Sequence, residues 1–313
     1  MPGDFAAMQE KPDRPASARM QVVYNPTAGR RRLRVLEDVL ARLRSRGVDI
    51  VLQPTGARGD AERLAAEIDP DDLAVAAGGD GTINEVVNGL MQAREDGRAP
   101  PALGLVPLGT ANVLAREIGL PVDAASIVAA LTGGRSIAFR PGRLRFATGT
   151  RHFAMMAGVG FDADVVAHVD LATKRLLGKA AYALASGGRL LAYRPHLFRL
   201  NIDGAPFQAA SVVISRGRHY AGPYVCAPDA ALERPELHAC LFERPGRLAV
   251  MRYGAALLAD RLARARRYRV VAGREIEVQG VASQVVQADG DIVASLPLVA
   301  DVAERAIRLK VLG

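Results

Sequence analysis

The 313 residues are 50% hydrophobic and 24% charged, an ordinary globular composition in a chain long enough for two domains with cores of their own. A net charge of +8 favours anionic partners without choosing among nucleotides, nucleic acids and lipid surfaces. The two cysteines, Cys226 and Cys240, exclude a disulfide framework and a Cys-x-x-Cys metal knuckle, and no apolar run reaches the roughly 18 residues of a membrane span.

Residues 1–18 carry Pro2, Pro12 and Pro15 among mixed charges, lack the apolar core of a signal peptide, and read as a disordered tail. From 19 to 140, strands and helices alternate. Residues 20–24 form a first strand, followed by the loop Asn25-Pro26-Thr27-Ala28-Gly29. A helix then runs to about 46, with Leu33, Leu36, Val39, Leu40 and Leu43 on one face. Residues 48–52 read as a second strand and 60–68 as a second helix. Residues 72–77 form a short buried strand, after which Ile83, Val86, Val87 and Leu90 recur at helical spacing. The run Gly78-Gly79-Asp80-Gly81-Thr82-Ile83-Asn84-Glu85 therefore sits where a strand becomes a helix. Residues 103–106 form a fourth strand, leading into Pro107-Leu108-Gly109-Thr110-Ala111-Asn112 and another helix start. Such repetition implies a doubly wound α/β domain with a parallel sheet, and ligands at the carboxyl ends of its strands.

From 141 to 296, short strand candidates bounded by turn residues predict a mainly antiparallel β domain. The clearest hairpin joins 198–202 to 207–215 through Asp203-Gly204. Two helical stretches interrupt, at about 162–193 and 247–266.

Three loops thus follow three strands of the first domain, each with glycine beside small hydroxyl or amide side chains suited to phosphate oxygens and ribose. Any one alone is an ordinary turn with an N-cap. Three in successive βα units point to a nucleotide. A carboxylate in such a turn, Asp80, implies a cation or a transferable proton beside the phosphates, hence chemistry at a phosphoryl group. The chain has neither a GxxxxGK[ST] loop nor a GxGxxG in the right context.

Read together, the blocks 25–29, 78–85 and 107–112, with Gly158-Val159-Gly160-Phe161-Asp162-Ala163 and Gln287-Ala288-Asp289-Gly290-Asp291, resemble the diacylglycerol kinase catalytic-domain superfamily of lipid kinases, which includes sphingosine and ceramide kinases. The resemblance spans about 21 to 291. It implies a NAD kinase-like or lipid kinase-like pair of domains, the second a β-sandwich, with the terminal residues 297–313 packing back on the first. It implies ATP between the domains, with phosphates held by Asn25, Pro26, Thr27, Ala28 and Gly29 and by Gly78, Gly79, Asp80, Gly81, Thr82, Asn84 and Glu85. Thr55, Gly109, Thr110 and Asn112 complete the nucleotide contacts. Asp80 would organise Mg²⁺, and Asp289, with Asp291, would take the proton of a lipid hydroxyl. The stretch Leu232-Glu233-Arg234-Pro235-Glu236-Leu237 departs from the family's D-G-x-L element, which puts a secondary structural Mg²⁺ site in doubt.

The expectation is a cytoplasmic ATP-dependent lipid kinase, peripheral to a membrane that carries its diacylglycerol-like or sphingoid substrate, with a homodimer left open. A NAD kinase-like enzyme and a non-catalytic nucleotide- or lipid-binding regulator are the alternatives. Nucleic acid is disfavoured, because the basic residues lack interleaved aromatics. The basic stretch 174–182 and the arginines Arg261, Arg264, Arg266 and Arg267 read first as solvated surface and second as membrane contacts. His168 and His219 lack metal-ligand spacing and read as structural or surface residues.

Overall fold

The computed structural model describes residues 19–27, 30–133, 135–168 and 196–313. The expected tail, Ala28, Gly29 and the stretch 174–182 lie outside the described residues.

The first sheet starts from β1 (Met20–Tyr24), parallel to both β2 (Ile50–Pro54) and β3 (Leu73–Gly78). β3 pairs in parallel with β4 (Ala102–Pro107). The next neighbour comes from the end of the chain: β20 (Ile307–Lys310) lies parallel to β4 and antiparallel to β5 (Ser136–Phe139). Every residue of β3 and β4 is buried, as a strand covered on both faces requires. One face meets α1 (Arg30–Arg44) and α5 (Ala124–Thr132), whose Leu40, Leu43, Ile127 and Leu131 pack with Val22, Val75 and Ala77. The other meets α2 (Asp60–Ala66) and α3 (Asp80–Glu95), with Ala65, Val86 and Leu90 against Val23, Ala74 and Ala76. The second strand lies two residues later than expected. Val48 donates its N–H to Leu43 O (3.2 Å) in the turn that ends α1, so pairing begins at Ile50, opposite Met20.

The second domain is a sandwich of two six-stranded antiparallel sheets. One contains β6 (Gly142–Phe146), β7 (Gly149–Phe153), β9 (Phe198–Ile202), β10 (Ala205–Ala209), β16 (Glu275–Gln279) and β19 (Leu298–Val302), in the order β10-β9-β16-β19-β6-β7. The other contains β8 (Met156–Val159), β11 (Ser211–Ser215), β14 (Leu237–Phe242), β15 (Tyr268–Gly273), β17 (Val285–Ala288) and β18 (Asp291–Ser295), in the order β15-β14-β11-β8-β17-β18. Phe153, Phe198, Ile214, Leu241, Ile276 and Val286 fill the space between them. The α/β-plus-sandwich architecture is the one expected.

Details differ. The single strand expected at 207–215 is two strands in different sheets, because the chain crosses from β10 to β11 at Ala210. The first long helix is described only as α6 (Phe161–His168); its remainder lies outside the described residues. The second, α7 (Arg247–Leu258), stops early, where Asp260 turns to φ 53° and Arg261 N bonds Ala256 O, and a short 3-10 turn follows at Leu262–Arg264. β12 (His219–Tyr220) and β13 (Tyr224–Val225) form a small ribbon beside α4 (Val113–Glu117).

Candidate active site

The carboxyl ends of β1, β3 and β4 stand side by side in the first sheet, so the loops that follow them share one rim. They are tied together there. Asn25 N donates to Ala77 O at 3.2 Å, Leu108 N to Gly78 O at 2.7 Å, and Thr55 N to Tyr24 O at 2.9 Å. Asn25 Oδ1 accepts from Thr27 N (2.9 Å) and Thr27 Oγ1 (2.7 Å), closing a tight polar turn. From α1, Arg32 Nη1 reaches Leu108 O at 2.7 Å.

Two glycines let the loops touch. A Cβ on Gly109 would lie 2.5 Å from Gly79 Cα, backbone against backbone. A Cβ on Gly78 would lie 2.4 Å from Thr82 Oγ1, so Thr82 folds over Gly78. No side chain caps α3 at Gly79, which leaves the first-turn amides of a 16-residue helix turned to the rim. Thr110 is exposed beside them, while Asn112 is 8% exposed with φ 49°. Its Oδ1 is buried with no hydrogen-bond partner, over Gly109. A cradle of bare glycine backbone, uncapped amides and an unspent acceptor fits a nucleotide with its phosphates and donor-bearing sugar or base.

Asp80, to which the sequence reading gives the metal, has both carboxylate oxygens on backbone amides. Oδ1 accepts from Val113 N (2.6 Å) and Oδ2 from Asn112 N (3.0 Å), which pins the start of α4 to the start of α3. Glu85 and Asn84 also depart from the phosphate role. Glu85 Oε2 accepts from Ala61 N at 3.2 Å, at the beginning of α2. Asn84 turns toward the second domain, where its Nδ2 donates to Asp289 Oδ2 (2.7 Å) and His152 O (3.1 Å). Helical geometry is the reason: positions 84 and 85 come after the first turn, so their side chains leave the rim and meet the flanking elements. Among the described residues no group of three or more His, Cys, Asp and Glu converges to hold a metal ion, so the protein offers no carboxylate cage for Mg²⁺ there.

The second domain presents the turn between β17 and β18, with Asp289 at φ 47° and Gly290 at φ 88°. Its two acids are in different situations. The Asp289 carboxylate accepts from Ala154 N (2.5 Å), Met155 N (2.9 Å), Met156 N (3.0 Å) and Asn84 Nδ2. Burial pushes its pKa up to about 6, against the pull of those hydrogen bonds. Asp291 faces the rim instead. Its Oδ2 lies 3.8 Å from where a Cβ on Gly81 would stand and 3.6 Å from Arg58 Nη2, with the side chain 33% exposed. Behind the turn, Gln287 Nε2 donates to Asp162 Oδ2 (2.6 Å), and Gln287 Oε1 accepts from Gly290 N (2.9 Å). Tyr220 Oη donates to the other Asp162 oxygen, and burial raises the Asp162 pKa.

The altered stretch 232–237 wraps a guanidinium. Arg216 is fully buried, donating from Nη2 to Leu232 O (2.5 Å), from Nη1 to Glu236 O (2.8 Å) and from Nε to Arg140 O (2.8 Å). An internal cation thus organises the carbonyls of this segment. His219 is structural, as expected: its Nδ1 lies 2.6 Å from Glu117 Oε2, joining β12 to α4.

Sequence reasoning missed Arg58, Arg216 and the pair Asn88–His152. Asn88 Oδ1 accepts from His152 N at 2.9 Å, and Asn88 Nδ2 donates to His152 O at 3.0 Å. A signal existed for one of them. Asn84 and Asn88 stand four apart among Val86, Val87 and Leu90, a polar pair on an apolar helix that needs internal partners.

Comparison with known proteins covers both domains. Residues 19–144 match the diacylglycerol kinase catalytic domain, and residues 155–311 match the YegS C-terminal NAD kinase beta sandwich-like domain. A diacylglycerol kinase of Bacillus subtilis (strain 168) is 36% identical over 219 residues, covering 68% of this chain and 70% of its own length. A YegS-like lipid kinase of Xanthomonas oryzae pv. oryzae is 32% identical over 207 residues, covering 63% and 65%. The fold is that of a crystal structure of a diacylglycerol kinase from Bacillus anthracis str. Sterne, with a TM-score of 0.71 at 20% identity, covering 93% of this chain and 96% of that one. Two contiguous domain matches and relatives of this identity leave one conclusion: the chain belongs to the diacylglycerol kinase catalytic-domain family of lipid kinases.

Proposed function

We propose that this lipid kinase transfers the γ-phosphoryl group of ATP to the hydroxyl of a diacylglycerol-like or sphingoid lipid, with Asp291 accepting the hydroxyl proton. The observation that carries the reading is the Asp291 carboxylate facing Gly81 from the other domain. A lipid hydroxyl seated between that carboxylate and the α3 amino terminus has its proton acceptor on one side and the phosphates on the other.

The first-turn amides of α3 and the bare backbone of Gly79 and Gly109 hold the triphosphate. Asn25, Thr27, Thr55 and Thr110 reach its oxygens and ribose from the rim, and Asn112 Oδ1 accepts a hydrogen bond from the nucleoside. Asp80 keeps the loop at 109–112 against α3 and acts as a positioning residue. Asp289 does the same for the acid-bearing turn. In the transfer the lipid oxygen bonds to the γ-phosphorus, the bond to the β-bridging oxygen breaks and ADP leaves. The hydroxyl proton passes to Asp291. Arg58, beside Asp291, offsets negative charge around the transferred group. Mg²⁺ would enter on the phosphates and supply charge neutralisation, since it favours phosphate oxygens with one or two carboxylates over an all-protein cage. A membrane-borne acceptor with ATP as donor makes the enzyme peripheral to the cytoplasmic face of a membrane. No helix of the described residues is long and apolar enough to cross one.

The test offers Mg-ATP with diacylglycerol, ceramide, sphingosine and, as a control acceptor, NAD, and identifies products by mass spectrometry. The expected result is a phosphorylated lipid, with turnover by Asp291→Asn lower by about 10²–10⁴ and ATP binding retained. Wild-type turnover in that variant removes Asp291 from the role of base, and phosphorylation of NAD alone overturns the acceptor class.

A further inference from the structure

The apolar stripe and arginine cluster of α7 have no part in the site described above. α7 rests on the second sheet through Ala249 and Tyr253, both buried, with the Tyr253 ring edge-on to Phe242 at 5.1 Å between centroids. At 100° per residue, Leu248, Met251, Ala255 and Leu258 fall together on the opposite side of the helix. They are exposed, the three large ones by 59%, 57% and 68%. These three make up nearly half of the seven exposed large apolar side chains among the described residues. An amphipathic helix in a globular domain turns such residues inward; this one has an apolar stripe on each side.

The flanks are basic. Between 244 and 269 stand eight arginines and one acid, Asp260. All eight are exposed. Arg267 and Arg269 share Glu243, at 3.6 Å and 3.0 Å. Arg247, Arg252, Arg261, Arg264 and Arg266 make no ion pair with any described residue. A solvated basic surface has no need of a leucine and methionine stripe through its middle.

Strand register fixes where this face lies. The cross-strand row Gln287–Gly158–Val213–Cys240 runs across β17, β8, β11 and β14, so Gln287 and Phe242 project from the same face of the sheet. α6, bonded to Gln287 through Asp162, and α7, stacked on Phe242, therefore lie on one face, with the acid-bearing turn toward one edge and α7 toward the other.

We infer that the outward face of α7, apolar along Leu248, Met251 and Leu258 and ringed by Arg247, Arg252, Arg261, Arg264 and Arg266, docks the enzyme on a membrane rich in anionic lipid. The occupant follows from the chemistry: acyl chains accept the stripe at headgroup depth while anionic headgroups pair with the arginines on both sides. The inference rests on the membrane-borne acceptor of the preceding section, and it gives the sandwich domain the task of orienting the site toward that acceptor.

The test is co-sedimentation of the full chain with vesicles of phosphatidylcholine alone and of phosphatidylcholine with phosphatidylglycerol, across a range of salt. Binding is expected on the anionic vesicles, weakening with salt as screened charges do. Leu248→Ser/Met251→Ser/Leu258→Ser is expected to weaken it by about tenfold or more. Each of Arg252→Gln and Arg264→Gln is expected to weaken it by about fivefold. These positions are exposed, so the thermal midpoint should not fall, and kinase turnover on a short-chain, water-soluble diacylglycerol should match wild type. That turnover, measured also on short-chain ceramide and sphingosine, separates the two readings: its absence in wild type on all three acceptors overturns the kinase proposal, whereas its presence with unchanged vesicle binding in the variants overturns this one. Equal binding to neutral vesicles overturns it, as does loss of a solution dimer in the serine variant without change in vesicle binding. Binding to neither vesicle with retention by duplex DNA, lost in the arginine variants, also overturns it.

Discussion

Asn84 Nδ2 lies 2.7 Å from Asp289 Oδ2, and that hydrogen bond joins residues 205 positions apart in the chain. The same amide nitrogen reaches His152 O, so one side chain on α3 holds both the acid-bearing turn and the end of β7. Asp291 stands two residues beyond Asp289 and faces Gly81, near the start of the same helix. The candidate site thereby lies at a contact between domains, held by side chains bonded to protein partners.

Asn84→Ala tests that contact. It strips a donor from a buried carboxylate and an acceptor from Asn88 Nδ2, while the helix itself gains a better former. Unpaired buried polar groups cost about 1–3 kcal/mol each. Urea unfolding should show a loss on the order of 2 kcal/mol, with kcat falling more than ATP affinity. Unchanged kcat would show that the turn keeps its position without this amide.

Asp289 and His152 should oppose each other in acid. Burial raises the Asp289 pKa from 3.8 to about 6 and lowers that of His152 from 6.5 to about 4. Between pH 4 and 6 the folded state holds the Asp289 proton more tightly than the unfolded chain does. Its contribution is therefore full at the acid end and is lost as pH rises through 6. For His152 the unfolded chain holds the proton, so that contribution grows as pH rises from 4 to 6.5. Each shift corresponds to about 3 kcal/mol in full, and the two nearly cancel. From this pair alone, stability should be almost level across this window, with Asp162, also raised by burial, and His238, also lowered, adding to the two opposing sides. Asp289→Asn, which tolerates the same positive φ, should instead climb with pH, and chemical denaturation in a pH series reads the slope.

Gly109→Ala should separate the loops of the rim. The added Cβ would stand 2.5 Å from Gly79 Cα and 2.6 Å from Asn112 Oδ1, and backbone cannot step aside as a flexible side chain can. The expected outcome is a rise in KM for ATP of at least about tenfold and a stability loss of about 1–3 kcal/mol. A nucleotide-binding titration that matches wild type would detach this loop from the nucleotide.

Arg216 predicts a metal-independent fold. Its guanidinium serves the carbonyls of Leu232, Glu236 and Arg140 from a fully buried position. Removing divalent ions with a chelator, in the absence of nucleotide, should leave the thermal midpoint unchanged. Arg216→Met should lower stability by at least about 3 kcal/mol, because several buried acceptors lose their donors together. A midpoint that drops with chelator would restore a structural metal to this region.

Local pattern made the first domain legible. The spacing of Leu36, Val39, Leu40 and Leu43 names a helix face, and glycine between buried strand and helix names a phosphate turn, because both depend on neighbours a few residues away. The same locality left unseen the protein partners of Asn84, Glu85 and Asp80. A polar residue near a phosphate turn can serve the ligand or the scaffold, and the choice lies with partners 24 to 205 positions distant, such as Ala61, Val113 and Asp289.

Amino-acid order by itself determined the α/β-plus-sandwich plan, the three glycine-bearing turns and the family, since each is written in short runs with their own periodicity or turn chemistry. Tertiary structure alone decided which of two acids in one Asp-Gly-Asp turn is enclosed and which faces the rim. Residues two apart in a turn project apart, so Asp289 meets three amides of the bend from β7 into β8 while Asp291 faces Gly81. It also decided that of the terminal segment expected on the first domain only β20 joins that sheet, between β4 and β5, while β19 joins the sandwich, and that an arginine fills the loop at 232–237, because these are contacts between distant segments that no local pattern encodes.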